Sequence, residues 1–275
     1  MKNWRNIAIQ SLLIPILLSS CASNPVTQEE ETTEENTSSP EASLILVANG
    51  EDFIRQGFVS KDGWRIDFNH AYVTLADTIA HQTEPPFNAE GEEKLQSLKS
   101  VTLVREAVTV DLAEGDENAP PIKVAEALGS IGNYNALEWK LVNSGANSNS
   151  VILEGIAKKD NESIAFTLNL PLELSYQCGE FVGDERKGFL EAGKTAEVEA
   201  TFHFDHLFGD NESPADDELN VGALGFQPLA NLASNGTLNT DLATLKQNLT
   251  SEDYDKLIDN LNSLGHVGEG HCKIN

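Results

Sequence analysis

Residues 195–208 read T-A-E-V-E-A-T-F-H-F-D-H-L-F. Ala196, Val198, Ala200, Phe202 and Phe204 recur at every second position, and Thr195, Glu197, Glu199, Thr201, His203 and Asp205 fill the alternate ones. Side chains of a strand point alternately to its two faces, so this spacing predicts a half-buried β-strand. Its end carries His203, Asp205 and His206, the densest group of potential metal ligands in the chain. In a continued strand His203 and His206 point to opposite faces. They converge only if the chain turns at Asp205, and Gly209 close behind makes such a turn accessible.

Outward from this stretch, the same period predicts strands near 43–48, 64–75, 101–112, 137–141, 151–157 and 164–178. In 64–75 the apolar set switches from Trp64, Ile66 and Phe68 to Ala71, Val73 and Leu75. A change of phase inside a strand predicts a bulge near His70. In 164–178 eight positions from Ile164 to Cys178 share one face, and Pro171 on the other marks an edge or a break. No βαβ rhythm occurs and no glycine-rich phosphate loop follows a strand. The expected fold is mainly β: an antiparallel β-sandwich, immunoglobulin-like in outline. Beyond Phe208 the pattern turns helical. Ser213-Pro214 marks a helical turn, 226–233 and 241–249 read as short helices, and Ser251 caps a longer one through Tyr254, Leu257, Ile258 and Leu261, ended by Gly265. This gives a β-sandwich domain over 43–275 with a small helical subregion at about 210–265.

Ahead of that body, Lys2 and Arg5 precede an apolar run at 7–18 interrupted by Gln10, Ser11 and Pro15. A charged start, an apolar core too short to span a bilayer and small residues after it describe a secretory signal over 1–20. Leu18-Ser19-Ser20-Cys21 resembles the lipobox of bacterial lipoproteins. The resemblance implies cleavage before Cys21, a lipid on Cys21, and attachment to a membrane without a spanning helix. Ala22, where an aspartate would favour the inner membrane, implies the outer membrane, facing the periplasm or the surface. Residues 21–42, rich in Glu, Thr and Ser with a single valine, bury too little to offset ordering and read as a disordered acidic tether.

Composition narrows the partners. With 18 Lys and Arg against 44 Asp and Glu, the formal net charge is −26. Nucleic acid and anionic lipid both require positive charge and are excluded as electrostatic partners. The expected membrane contact runs through the lipid on Cys21, and an envelope protein partner leaves no signature. With Cys21 lipidated, Cys178 and Cys272 form a pair. In an oxidising compartment this reads as a disulfide, with two thiolate metal ligands as the alternative.

Six histidines occur: His70, His81, His203, His206, His266 and His271. A Cys178–Cys272 bridge brings the tail back to the sheet. If the strands of His70 and His203 are neighbours, then His70, His203, His206, His266 and His271, with Asp205 or Glu269, define a transition-metal site for copper or zinc. The alternative is a non-catalytic adhesion or scaffolding lipoprotein whose histidines are structural. No enzyme is expected: H-E-x-x-H and G-x-S-x-G are both absent. The acidic stretch 210–218 lacks the EF-hand spacing and reads as a solvated loop.

F-H-F-D-H-L-F-G-D at 202–210, in an exported β-rich body, resembles the MbnP-like periplasmic proteins associated with copper handling. The resemblance implies copper bound by histidines, with His70, His203 and His206 as ligands and Trp64 as a neighbour. Met1 is the sole methionine, so imidazole has to supply the binding.

Overall fold

The computed structural model of the chain describes residues 42–144 and 148–275. The expected signal peptide, Cys21 and the tether up to residue 41 lie outside the described residues. Ala42, expected to close the tether, is buried in the core.

In chain order the elements are β1 (Ser43–Asn49), α1 (Glu51–Gln56), β2 (Phe58–Val59), β3 (Arg65–Gln82), β4 (Lys99–Val104), β5 (Val108–Asp111), β6 (Ile122–Leu128) and β7 (Gly132–Asn133). They continue as β8 (Ala136–Leu141), β9 (Val151–Lys159), β10 (Glu162–Leu170), β11 (Leu174–Cys178), β12 (Phe189–Leu190) and β13 (Thr195–Phe202). The last third holds α2 (Asp205–Phe208), α3 (Glu218–Gly222), α4 (Gln227–Ala230), β14 (Thr237–Asp241), α5 (Leu242–Asn248), α6 (Ser251–Asn262), β15 (Gly265–Val267) and β16 (Gly270–Ile274). No helix among the described residues is long and apolar enough to cross a membrane.

The main sheet runs β14-β10-β9-β3-β8-β11-β16-β15-β13-β1-β6, with β2, β4 and β5 paired to other stretches of the long β3. β4 and β5 also lie against β6, the far end of that path, so the sheet curls back on itself. The fold is mainly β, as expected, but the sheet is mixed. β1 runs parallel to β13, and β10 parallel to β14. Period-two alternation is the same whichever way a neighbour runs, so spacing alone is blind to these two pairings. The pairings establish this curled mixed sheet and do not establish the antiparallel sandwich or the immunoglobulin-like outline.

Local features follow the residues closely. The β3–β9 register shifts between Phe68 and His70, which is the bulge the phase change predicts. Pro171, lacking an N–H, separates β10 from β11. The long helix α6 is capped by Thr250, whose Oγ1 accepts from the Asp253 N–H, and not by Ser251. In the same way α3 starts at Asp217 rather than Ser213.

The main apolar core gathers residues from across the sheet, with a small second cluster of Phe87, Ala89 and Ala136. Trp139 of β8 packs on Tyr176 of β11 and Phe202 of β13, at ring distances of 5.5 and 6.4 Å. Phe208 of α2 packs among Phe58, Phe68 and Phe226. This anchors the one-turn helix that carries His206. Cys178 and Cys272 face each other across β11 and β16 and are disulfide-bonded, so the alternative of two thiolate ligands does not hold.

Candidate metal centre

The chain turns where the site needs it to. β13 ends at Phe202, and Asp205–Phe208 forms a single helical turn. Gly209 closes it with φ at 68° and its N–H on the Asp205 carbonyl; a β-carbon there would stand 2.5 Å from Asn220 Oδ1. The turn brings His206 back beside His203, with ring centroids 5.0 Å apart. One ligand atom from each of His203, Asp205 and His206 lies within 4.8 Å of the others.

The outer half of β13 departs from simple alternation. Glu199, Thr201 and His203 are buried although they occupy its polar face. They are covered by polar partners. Glu199 accepts from Asn49 Nδ2, Thr201 Oγ1 and Lys187 Nζ. Asn49 Oδ1 in turn accepts from the Glu51 N–H, and Thr201 Oγ1 accepts from the Gly268 N–H. A buried carboxylate is tolerated only when it is paired and hydrogen-bonded in this way.

That network sets His203. Its Nε2 lies 3.2 Å from the Gly268 carbonyl and 3.2 Å from Glu51 Oε1. A carbonyl oxygen only accepts, so Nε2 carries the proton. In the neutral ring the lone pair is then on Nδ1, the nitrogen 3.9 Å from Asp205 Oδ1. A carboxylate behind one imidazole nitrogen orients the other toward a metal and raises its basicity. Glu51 holds this place with its backbone at φ 60°, a left-handed conformation that costs energy in a non-glycine residue.

The C-terminal hairpin supplies two more rings. His266 of β15 stacks on His203 at 4.1 Å, and His271 of β16 lies 4.7 Å beyond it. Gly268 makes the hairpin turn at φ 60°; a β-carbon there would meet the Val182 carbonyl oxygen at 2.0 Å. Rings 203, 206 and 266 thus stand within 4.1 to 5.3 Å of one another, and His271 extends the cluster from His266.

Electrostatics fit a cation. Burial, and then the neighbouring His203, His206 and His271, push His266 down to about 3. Burial chiefly lowers His206 as well. Both rings are therefore neutral, with lone pairs to offer, at neutral pH. Burial, then Asp205 and Glu269, push Glu51 up to about 7. Asp205 Oδ1 is buried and has no hydrogen-bond partner among the described residues. A bare carboxylate oxygen and neutral imidazoles in one place are a donor set that fits copper or zinc.

The other expected residues lie elsewhere. β3 and β13 are separated by four strands in the sheet, so the condition that would bring His70 to the group is not met. His70 Nδ1 bonds to Asp111 Oδ2 at 2.7 Å, and its ring stacks on Tyr72. Trp64 packs on Phe226 and donates from Nε1 to Gln227. His81 pairs with Glu138. Sequence reasoning missed Glu51. Its only signal is position: parallel pairing of Asn49 with Thr201 carries the chain just past β1 to the end of β13. No protein-family model matches the chain, no curated protein matches it, and no solved structure matches its fold.

Glu51 gives a testable trade-off. Its folded pKa lies near 7 against an ordinary 4.5, so the folded state holds a proton that the unfolded chain has lost. Stability of the metal-free protein therefore falls as pH rises from about 4.5 to 7 on this account. His266 acts in the opposite sense: its depressed pKa makes stability fall as pH drops from 6.5 toward 3. Glu51→Gln is expected to stabilise the metal-free protein at pH 8 by on the order of 1 kcal/mol, after allowance for the group's partial exposure. It is also expected to weaken metal binding by roughly 10- to 100-fold, as loss of a ligand-orienting partner does. Urea midpoints at pH 5 and pH 8, with metal titrations, measure both. Unchanged affinity with lower stability at pH 8 would remove Glu51 from the site.

Proposed function

We propose that the protein binds a transition metal, copper or zinc, through His203, Asp205 and His206, and serves metal handling in the bacterial cell envelope as a lipid-anchored protein. The observation that carries this reading is the convergence of those three ligand atoms within 4.8 Å at a turn built from the end of a central strand. The unpaired Asp205 oxygen and the orientation of His203 by Glu51 and Gly268 support it further. Export is supported by the Cys178–Cys272 disulfide, a bond that persists in oxidising compartments. Attachment through Cys21 rests on the lipobox resemblance, and copper in particular on the resemblance of 202–210 to the MbnP-like proteins.

A bound metal would act here as cargo or as a structural ion; nothing in the donor set requires turnover. The competing reading, a scaffolding lipoprotein with structural histidines, is favoured by one feature. His203 and His266 each satisfy one nitrogen on a backbone carbonyl, as core histidines do. Elemental analysis of the exported protein, purified without chelating resin, separates the two. Stoichiometric copper or zinc is expected. A folded, disulfide-bonded chain that takes up neither metal on reconstitution would rule the metal reading out.

A further inference from the structure

His266 and His271 are not part of the tight group of His203, Asp205 and His206, yet they have the marks of ligands themselves. They are direct cross-strand partners on β15 and β16. Such partners project to the same side of the ladder, and here the rings stand 4.7 Å apart. Glu269 lies in the hairpin turn between them.

The state of His266 is the decisive observation. The residue is 1% exposed. Its Nε2 lies 3.0 Å from the Ser263 carbonyl, which accepts only, so the proton is on Nε2 and the lone pair on Nδ1. Nδ1 is buried and has no hydrogen-bond partner among the described residues. Leaving a buried acceptor bare is unfavourable. A ring held by its other nitrogen on a carbonyl is the usual state of a metal-ligating histidine. His271 and Glu269, by contrast, are exposed and reach solvent.

The two groups have the same composition: two imidazoles and one carboxylate.

We propose that His266 and His271, with Glu269, bind a second divalent transition-metal ion beside the one held by His203, Asp205 and His206, making the centre binuclear. This rests on the reading of the first group as a metal site. In the first, inner half His203 is buried and Asp205 and His206 are half-buried; in the second, outer half His266 is buried while His271 and Glu269 are exposed.

The test is the zinc stoichiometry of the full-length exported protein, stripped with chelator, loaded with Zn²⁺ and freed of excess by gel filtration. Two zinc ions per chain are expected for the wild type, and one for His271→Ala. His271 is exposed and pairs with His266 through backbone bonds, so this variant keeps the fold. Glu269→Gln is expected to weaken the second binding step by at least tenfold and leave the first unchanged. One zinc in both the wild type and His271→Ala would overturn the second site and leave the proposed function standing. One zinc in the wild type and none in His271→Ala would overturn the binuclear arrangement by placing the single site on the hairpin. Two zinc ions in both would also overturn it, because His271 would then hold neither. No zinc in any form would overturn the proposed function itself.

Discussion

His206→Ala is expected to weaken metal binding at the His203, Asp205 and His206 group by well over 100-fold, and His203→Ala/His206→Ala to abolish binding at that group at micromolar protein. The reference is the roughly 10- to 100-fold cost of losing a partner that merely orients a ligand; loss of a ligand costs more, and the double variant leaves Asp205 alone of the inner three. The single variant is the cleaner test. His206 makes ring contacts with His203 and His266 but carries none of the side-chain hydrogen bonds that hold the turn. The turn is held instead by the Gly209 N–H on the Asp205 carbonyl and by the packing of Phe208. Removing the ring should therefore leave the fold in place. His203 is different: it is 4% exposed, and its loss strips the donor from the buried Gly268 carbonyl. A destabilisation of about 1–3 kcal/mol is expected from that alone. Competition titration against a chelator of known affinity, with far-UV circular dichroism as a check on folding, reads both effects. Wild-type affinity in a folded His206→Ala protein would exclude the inner group as the site.

Part of this centre is legible in the sequence, and the rest is not for identifiable reasons. His203, Asp205 and His206 stand within four residues, and Gly209 advertises the turn that unites them. The bulge at His70 and the break at Pro171 are also readable, since both follow from local stereochemistry. Long-range pairing is not readable in that way. Glu51 meets His203 because β1 and β13 run parallel, and alternation carries no sign of direction. For the same reason His70, on a bulge that looks like a site, is carried away from it by four intervening strands. The tail 265–274 reads as a glycine-rich loop because its strands are only three and five residues long, too short for a period to show. Its hairpin is tied to β11 by the bridge to Cys178.

Removal of that bridge, by Cys178→Ala/Cys272→Ala, is expected to lower the unfolding free energy by roughly 4 kcal/mol and to weaken metal binding in the same protein. The stability figure comes from the chain-entropy cost released when a cross-link over about 94 residues is lost. The coupling to metal comes from where the bridge sits. β16 is held on one side by three residue pairs to β11, Cys178–Cys272 among them, and on the other by two pairs to β15. It is thus the single strand that joins the β11 side of the sheet to β15 and β13. Without the bridge the hairpin is left on those backbone bonds, on the two-residue pairing of β15 with β13, on the Val182 and Glu269 backbone bonds, and on the Gly268 N–H to Thr201. The hairpin carries His266, His271 and the Gly268 carbonyl that orients His203, so its loosening reaches both halves of the centre. Urea unfolding with and without one equivalent of Zn²⁺ resolves the two effects. The midpoint of the metal-free variant should fall steeply, and the added stability that zinc confers should shrink, since a ligand stabilises only as far as it binds the folded state. An unchanged zinc increment in a destabilised variant would show that the hairpin keeps its place by hydrogen bonding alone, and that the disulfide serves the fold and not the metal.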